Sequence, residues 1–261
     1  VLDLLSFLTL HTELESALFA VAVILLVMVA NKHPEWLLPI AIAEIIATSN
    51  GHSLNTEMFG ASIGLRIAIF GILMLATIFS ILKKRKNPIP EHFRMLSLLI
   101  ATVILYAVLL GVLNGNGLRN IYLDSNGYLA IGYVLAAWVW VRDANSRRLL
   151  LQAVGAGMLW IASKTLLFLF MFGHLHPKTL DYVYTWIRDT RLGEITLQGG
   201  NIYRVFLQSQ WFLVPAMLGS AAYIWIGEKS RDSGARIIFL ITFAAILASL
   251  SRSFWVALVA T

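Results

Sequence analysis

The chain has 261 residues, of which 59% are hydrophobic and only 13% charged, and its mean hydropathy is +0.77. Soluble domains carry about 25% charged residues, so this composition excludes an ordinary soluble domain, and long apolar stretches recurring along the chain make it a polytopic membrane protein. The net charge of +6 reads as positive loops that set topology rather than as a nucleic-acid footprint, and the absence of cysteine excludes disulfides and thiolate metal sites.

Eight apolar segments of helical length follow one another at roughly 14–31, 35–48, 62–82, 95–113, 121–141, 149–172, 205–227 and 236–261, which predicts an all-α transmembrane bundle in a single integral-membrane domain over 1–261. The second, "WLLPIAIAEIIATS", is short for a crossing of about 20 residues, and Pro39 suits a kink there. The chain opens without Met and its last apolar run is still going at Thr261, so a larger protein is expected to contain it.

The connecting loops separate by charge. One side collects Lys32, Lys83, Lys84, Arg85, Lys86, Arg94, Arg142, Arg147, Arg148, Lys229, Arg231 and Arg236, whereas residues 1–13 and 49–61 have no Lys or Arg. Lys/Arg bias marks the cytoplasmic side, so 1–13, 49–61, 114–120 and the long loop 173–204 are expected to face outward.

Within that topology, the ionisable residues inside the spans gather toward the outer face. Arg252 lies about 24 Å along its span from Arg236, Lys164 is at similar depth, and Arg66, Asp124 and Glu44 sit in the outer parts of their spans. A charge in the bilayer costs at least about 2.5–3.5 kcal/mol on insertion scales, which makes each a candidate functional group with a partner to be named. As buried partners, Glu44 pairs with Lys164 or Arg66, and Asp124 with Arg119; a purely architectural role of these pairs, and snorkelling of Arg66 and Arg119, are the competing explanations. Arg66, Arg119, Lys164 and Arg252 outnumber Glu44 and Asp124, which asks for an anion.

The long loop adds Arg188, Arg191 and Arg204 among Tyr182, Tyr184, Trp186, Tyr203 and Trp211. These arginines break the charge rule, and a guanidinium fork suits phosphate oxygens; the aromatics suit sugar rings or the ordinary interfacial belt. An amphipathic helix lying on the membrane is expected over 179–191, with Tyr182, Trp186 and Ile187 on one face, and "LQGGN" as the turn into the next span. His174 and His176 have no third ligand in view, so no metal site is assigned. "GVLNGNGLRN" lacks the lysine and spacing of a phosphate loop.

"SLSRSFWVAL", Ser249 to Leu258, resembles the Ser-Arg motif of the O-antigen ligase and O-antigen polymerase superfamily of bacterial multi-spanning membrane glycosyltransferases. "GASIGLRIAIFGILMLATIFSILKKRK" and "GVLNGNGLRNIYLDSNGYLAIGYVLAAWVWVRD" are similar to the amino-terminal half of such proteins. The resemblance implies transfer of a glycan from a polyprenyl diphosphate carrier to a glycan or lipid-glycan acceptor at the periplasmic face of the inner membrane, without cofactor or metal. It makes Arg252 the catalytic arginine; by position alone, Ser251 is a hydroxyl donor beside it, and Arg188, Arg191, Arg204, Lys164, Arg66 and Arg119 are candidate diphosphate or glycan contacts. The family's large periplasmic loop, with its acceptor-activating histidine, is expected beyond Thr261. The rival readings are a transporter or flippase for an anionic solute or lipid, a non-catalytic membrane subunit, and a polymerase of peptidoglycan strands.

Overall fold

The structure is a computed structural model that describes residues 2–10, 12–48, 54–58, 61–83, 90–117, 120–121, 127–200, 202–226 and 233–249. Its helices are α1 (Leu2–Thr9), α2 (Glu13–Lys32), α3 (Leu37–Thr48), α4 (Leu65–Lys83), α5 (Glu91–Leu113), α6 (Ala130–Trp140), α7 (Ala144–His174), α8 (Pro177–Asp189), α9 (Leu213–Ile226) and α10 (Ser233–Ala248). Two antiparallel hairpins interrupt them, β1 (Asn55–Met58) with β2 (Ala61–Gly64) and β3 (Gly193–Gly199) with β4 (Ile202–Leu207).

Local chemistry sets many of the helix ends. Glu13 and Glu15 occupy the first turn of α2 and Lys32 its last, the arrangement the helix dipole favours. Asp143 caps α7 by accepting from the Ser146 N–H at 2.6 Å. At the start of α8, Pro177 stands at a position whose N–H has no helical acceptor, behind His176, whose side chain accepts from the Lys178 N–H. Arg191 ends α8 in the left-handed region (φ 50°), with Leu192 N–H bonded to Ile187 O and Arg191 N–H to Arg188 O, both at 3.0 Å. That is a Schellman ending with arginine where glycine is usual.

Among the described residues, α2, α4, α5 and α7 are long and apolar enough to cross a membrane by length and composition. The chain is therefore a mostly helical membrane protein, with fewer crossing-length helices than the eight apolar segments. Where the described residues cover a segment, the difference has a local cause. The segment 205–227 begins as strand, because "IYRVFL" alternates: Val205 and Leu207 are buried while Arg204 and Phe206 are half-buried on the other face. A short 3₁₀ stretch (Gln208–Phe212) follows, leaving 14 residues of helix in α9. The segment 62–82 opens in β2 yet still holds the crossing-length α4, and within 121–141 the described residues 127–129 form another 3₁₀ turn before α6 begins at Ala130. The second segment is 12 residues of helix, about 18 Å. Pro39 lies in its first turn, where a missing N–H breaks no helical bond, so the expected kink gives way to a helix start. The last segment is described as α10 and a turn at Ser249.

Two apolar clusters form the core. One joins α2, α3, α4 and α6 through Leu26, Leu37, Leu38, Ala41, Leu65, Ile69, Leu73 and Ala136; the other joins α3, α7–α10 and the second hairpin through Ile46, Ile161, Phe168, Trp186, Val205, Leu207, Leu213 and Ile246. Helix α3 touches both clusters, which explains why most of so short a helix is buried. By contrast α5 has none of its apolar window buried and meets α6 where Phe93 stacks on Trp138 at 5.1 Å. Chain direction puts both hairpins, α1 and α8 at one end of the bundle, the hairpin end. Lys32, Lys83, Arg94, Arg142, Arg147 and Arg236 lie at the helix ends opposite.

Candidate functional site at the hairpin end

Two buried ion pairs organise the hairpin end. In the first, Glu44 and Thr48 stand one turn apart on α3 and meet Arg66 in the first turn of α4. Arg66 Nε donates to Glu44 Oε2 at 2.9 Å and Nη2 to Thr48 Oγ1 at 3.2 Å. The Thr48 hydroxyl in turn donates to Glu44 Oε1. The β1–β2 hairpin sets this position, since Leu65 N–H bonds Leu54 O at 3.1 Å just where α4 begins. Of the two partners left open for Glu44, Arg66 is therefore the one it takes.

Lys164 takes an acid that sequence reasoning left in an unassigned terminal stretch. Its Nζ donates to Asp3 Oδ2 at 2.6 Å and to Ala47 O at 2.6 Å, and Trp160 Nε1 donates to the same Asp3 oxygen at 2.6 Å. Both side chains are almost fully buried, Lys164 at 3% and Asp3 at 6% exposure. Ala47 O belongs to the last turn of α3, where carbonyls lack helical partners and a cation is favoured. The apparent excess of buried cations shrinks once Asp3 is counted.

Asp3 is placed by α1, an eight-residue helix strapped to α8. Phe7 packs edge-on against Tyr182 and Trp186 (centroids 4.9 and 5.5 Å), Tyr182 OH donates to Phe7 O at 2.8 Å, and Trp186 Nε1 donates to Ser6 Oγ at 3.3 Å. This corrects the expectation of a helix whose apolar face rests on lipid. Leu180, Val183, Trp186 and Ile187 are buried in the protein core, and Tyr182 sits at the edge of that face, half-exposed. His176 serves as the α8 cap, and His174 stacks on Phe170.

The loop arginines differ among themselves. Arg188 is exposed and bound to Asp189 Oδ1 at 2.8 Å; that hydrogen bond and the carboxylate charge raise its pKa further above its ordinary value. Arg191 is exposed in its left-handed turn. Arg204 lies on β4 opposite Thr196, its guanidinium carbon 5.6 Å from the Phe206 ring centre. Its Nε is buried and has no hydrogen-bond partner among the described residues. Gly199 and Gly200, both at positive φ (143° and 53°), lead out of β3 toward β4, so these glycines belong to a hairpin tip rather than to the entry to a span. Gln210 ties the hairpin to α7, its Nε2 donating to Thr165 Oγ1 at 2.8 Å and to Val205 O at 3.2 Å.

Between α1, α3 and α7 opens a cleft of about 350 Å³ lined by Asp3, Ile40, Ala43, Glu44, Ala47, Thr48, Ala156, Gly157 and Trp160. The structure thus brings Glu44, Arg66 and Lys164 to one end with the arginine-bearing α8 and β4. Arg119, Asp124, Ser251 and Arg252 lie outside the described residues. Asp3, Thr48, Trp160 and Gln210 are the participants that sequence reasoning missed. No model of a known family, no curated protein and no solved structure matches the chain.

Proposed function

We propose that the chain is the membrane portion of a glycosyltransferase of the O-antigen ligase or polymerase type, which moves a glycan from a polyprenyl diphosphate carrier to an acceptor sugar. In this reading the chain crosses a bacterial inner membrane eight times, its hairpin end facing the periplasm. The shorter helices and the residues beside them complete the remaining crossings, and the basic helix ends lie in the cytoplasm as the Lys/Arg rule requires.

The observation that carries the reading is Arg204, a guanidinium whose buried Nε–H has no acceptor among the described residues. A buried unpaired donor on a cation is costly, and a diphosphate oxygen would supply both the acceptor and the countercharge. Arg191, exposed nearby in the chain, and Arg252 with Ser251 in the Ser-Arg motif, would engage the same diphosphate. Charge grows on the diphosphate as the glycosidic bond breaks, and fixed cations in a water-poor site stabilise it without a metal. Lys164 and Arg66, held by Asp3 and Glu44, act one step back by fixing α3, α4 and α7.

The test uses full-length protein in lipid with a polyprenyl-diphosphate glycan and an acceptor, no metal added. Arg204→Ala is expected to lower the transfer rate about 10²–10³-fold, and Arg204→Lys to restore only part of it, because the fork is lost. Folded variants that transfer like wild type would remove Arg204 from the site and with it the main support for the reading.

A further inference from the structure

The cleft between α1, α3 and α7 contains one unfinished hydrogen bond. Both Glu44 oxygens are engaged, by Arg66 and by Thr48. Asp3 Oδ2 receives Lys164 and Trp160, yet Asp3 Oδ1 is buried and has no donor among the described residues. Asp3 is 95% buried and lines the cleft, so the missing donor has a place from which to come. The rest of the wall is Ile40, Ala43, Ala156 and Gly157, small or apolar residues on the facing sides of α3 and α7. A volume of about 350 Å³ falls at the low end of the range of about 300–1,000 Å³ usual for ligand sites.

The geometry points to a neutral lipid with a hydroxyl-bearing headgroup as the occupant, a sugar-headed lipid being the natural case. One hydroxyl donates to Asp3 Oδ1, the head lies against the half-exposed Trp160, and the chain runs along Ala43, Ala156 and Gly157. Charge selects against other heads. Asp3 with Lys164 and Glu44 with Arg66 already balance, so an anionic head would meet carboxylates and a cationic one would leave an uncompensated charge in a poorly solvated cleft. The phosphate-bearing part of a carrier belongs with Arg204, whereas this cleft takes a head without phosphate. The inference goes beyond the transfer reading, since binding here requires no chemistry.

The full-length protein in phosphatidylcholine nanodiscs, titrated with an alkyl glucoside brominated in its chain, gives a direct readout through tryptophan quenching. Saturable quenching is expected, and Trp160→Phe should leave only the unsaturable background. Ala156→Phe, which narrows the groove at a residue belonging to neither ion pair, should weaken binding about tenfold or more, and a permethylated glucoside lacking donors should bind about tenfold more weakly. Chainless methyl glucoside and an alkyl phosphate should fail to displace the probe at matched concentration. Quenching that never saturates, a permethylated analogue that binds equally, or displacement by the alkyl phosphate or the free sugar each overturns the proposal. Transfer activity is not part of the readout, so this result is independent of the fate of the glycosyltransferase reading.

Discussion

Lys164→Met removes the cation from the more deeply buried of the two ion pairs at the hairpin end, and the structure gives the scale of the loss. At an N···O separation of 2.6 Å, the Coulomb attraction is about 6 kcal/mol for an effective dielectric constant of about 20. Desolvation of the two ions opposes it, so removing one partner is expected to cost about 3–5 kcal/mol, chiefly because Asp3 is left charged and buried. The loss includes the Lys164 bond to Ala47 O at the end of α3. The informative comparison is with Asp3→Leu and with the double variant Asp3→Leu/Lys164→Met. An apolar pair in the same space relieves the stranded charge, so the double variant should be more stable than either single one. Reversible unfolding in mixed micelles, followed by tryptophan emission, measures all four proteins. A double variant that loses the sum of the two single losses would show that the ions do not interact, and the account of the hairpin end given above would fail.

Arg66→Gln should be milder than Lys164→Met in the same assay, because Arg66 is 24% exposed and water compensates part of the loss. Gly193→Ala should dislodge the second hairpin, since a Cβ there would lie 2.2 Å from Phe206 O and 2.7 Å from Leu207 Cα; a loss of about 1–3 kcal/mol or more, with protease cleavage appearing near residue 193, is the expected result. Arg191→Gly should raise stability by about 1 kcal/mol by relieving the left-handed backbone, while weakening transfer if Arg191 meets the diphosphate, so thermal unfolding and turnover should move in opposite directions. The Ser146 N–H, and after it the Ser146 hydroxyl, hold the Asp143 carboxyl below its usual value. The stabilisation from this cap is present above the ordinary aspartate pKa and fades as pH falls through the lowered one, so Asp143→Asn should flatten the acid limb of the melting curve and leave neutral pH almost unchanged.

The membrane character and the order of helices were legible in the sequence because an apolar run of crossing length has few other uses. The hairpins were not, because the second strand of each runs into an apolar helix and was partly absorbed into it, which left the first strand as loop. For β3–β4 the signals were present as alternation in "IYRVFL" and the glycine pair before it, but the apolar residues of the strand also extend the following helix. The partner of Glu44 was one of two named, whereas Asp3 was missed altogether. A helix of eight residues is too short to register as a span, yet "DLLSF" places Asp3, Ser6 and Phe7 at helical spacing, and Lys164 required an acid from somewhere. Arg204 was picked out for its residue type and position in an outer loop. Its missing hydrogen bond is a property of packing that no single-chain pattern contains.

The strap formed by α1 also has a consequence for how the protein is made. Asp3 precedes Lys164 by 161 residues and Ser6 precedes Trp186 by 180. At a synthesis rate of about 5–20 residues per second, roughly ten to thirty seconds separate the appearance of the acid from that of its base. Through that interval neither Lys164 nor α8 has been made, so α1 lacks the partners that hold it in the folded protein. Its docking is then a late event, triggered by the arrival of α7, and a nascent chain halted before Lys164 should expose residues 2–9 to water-soluble labels that the finished protein excludes.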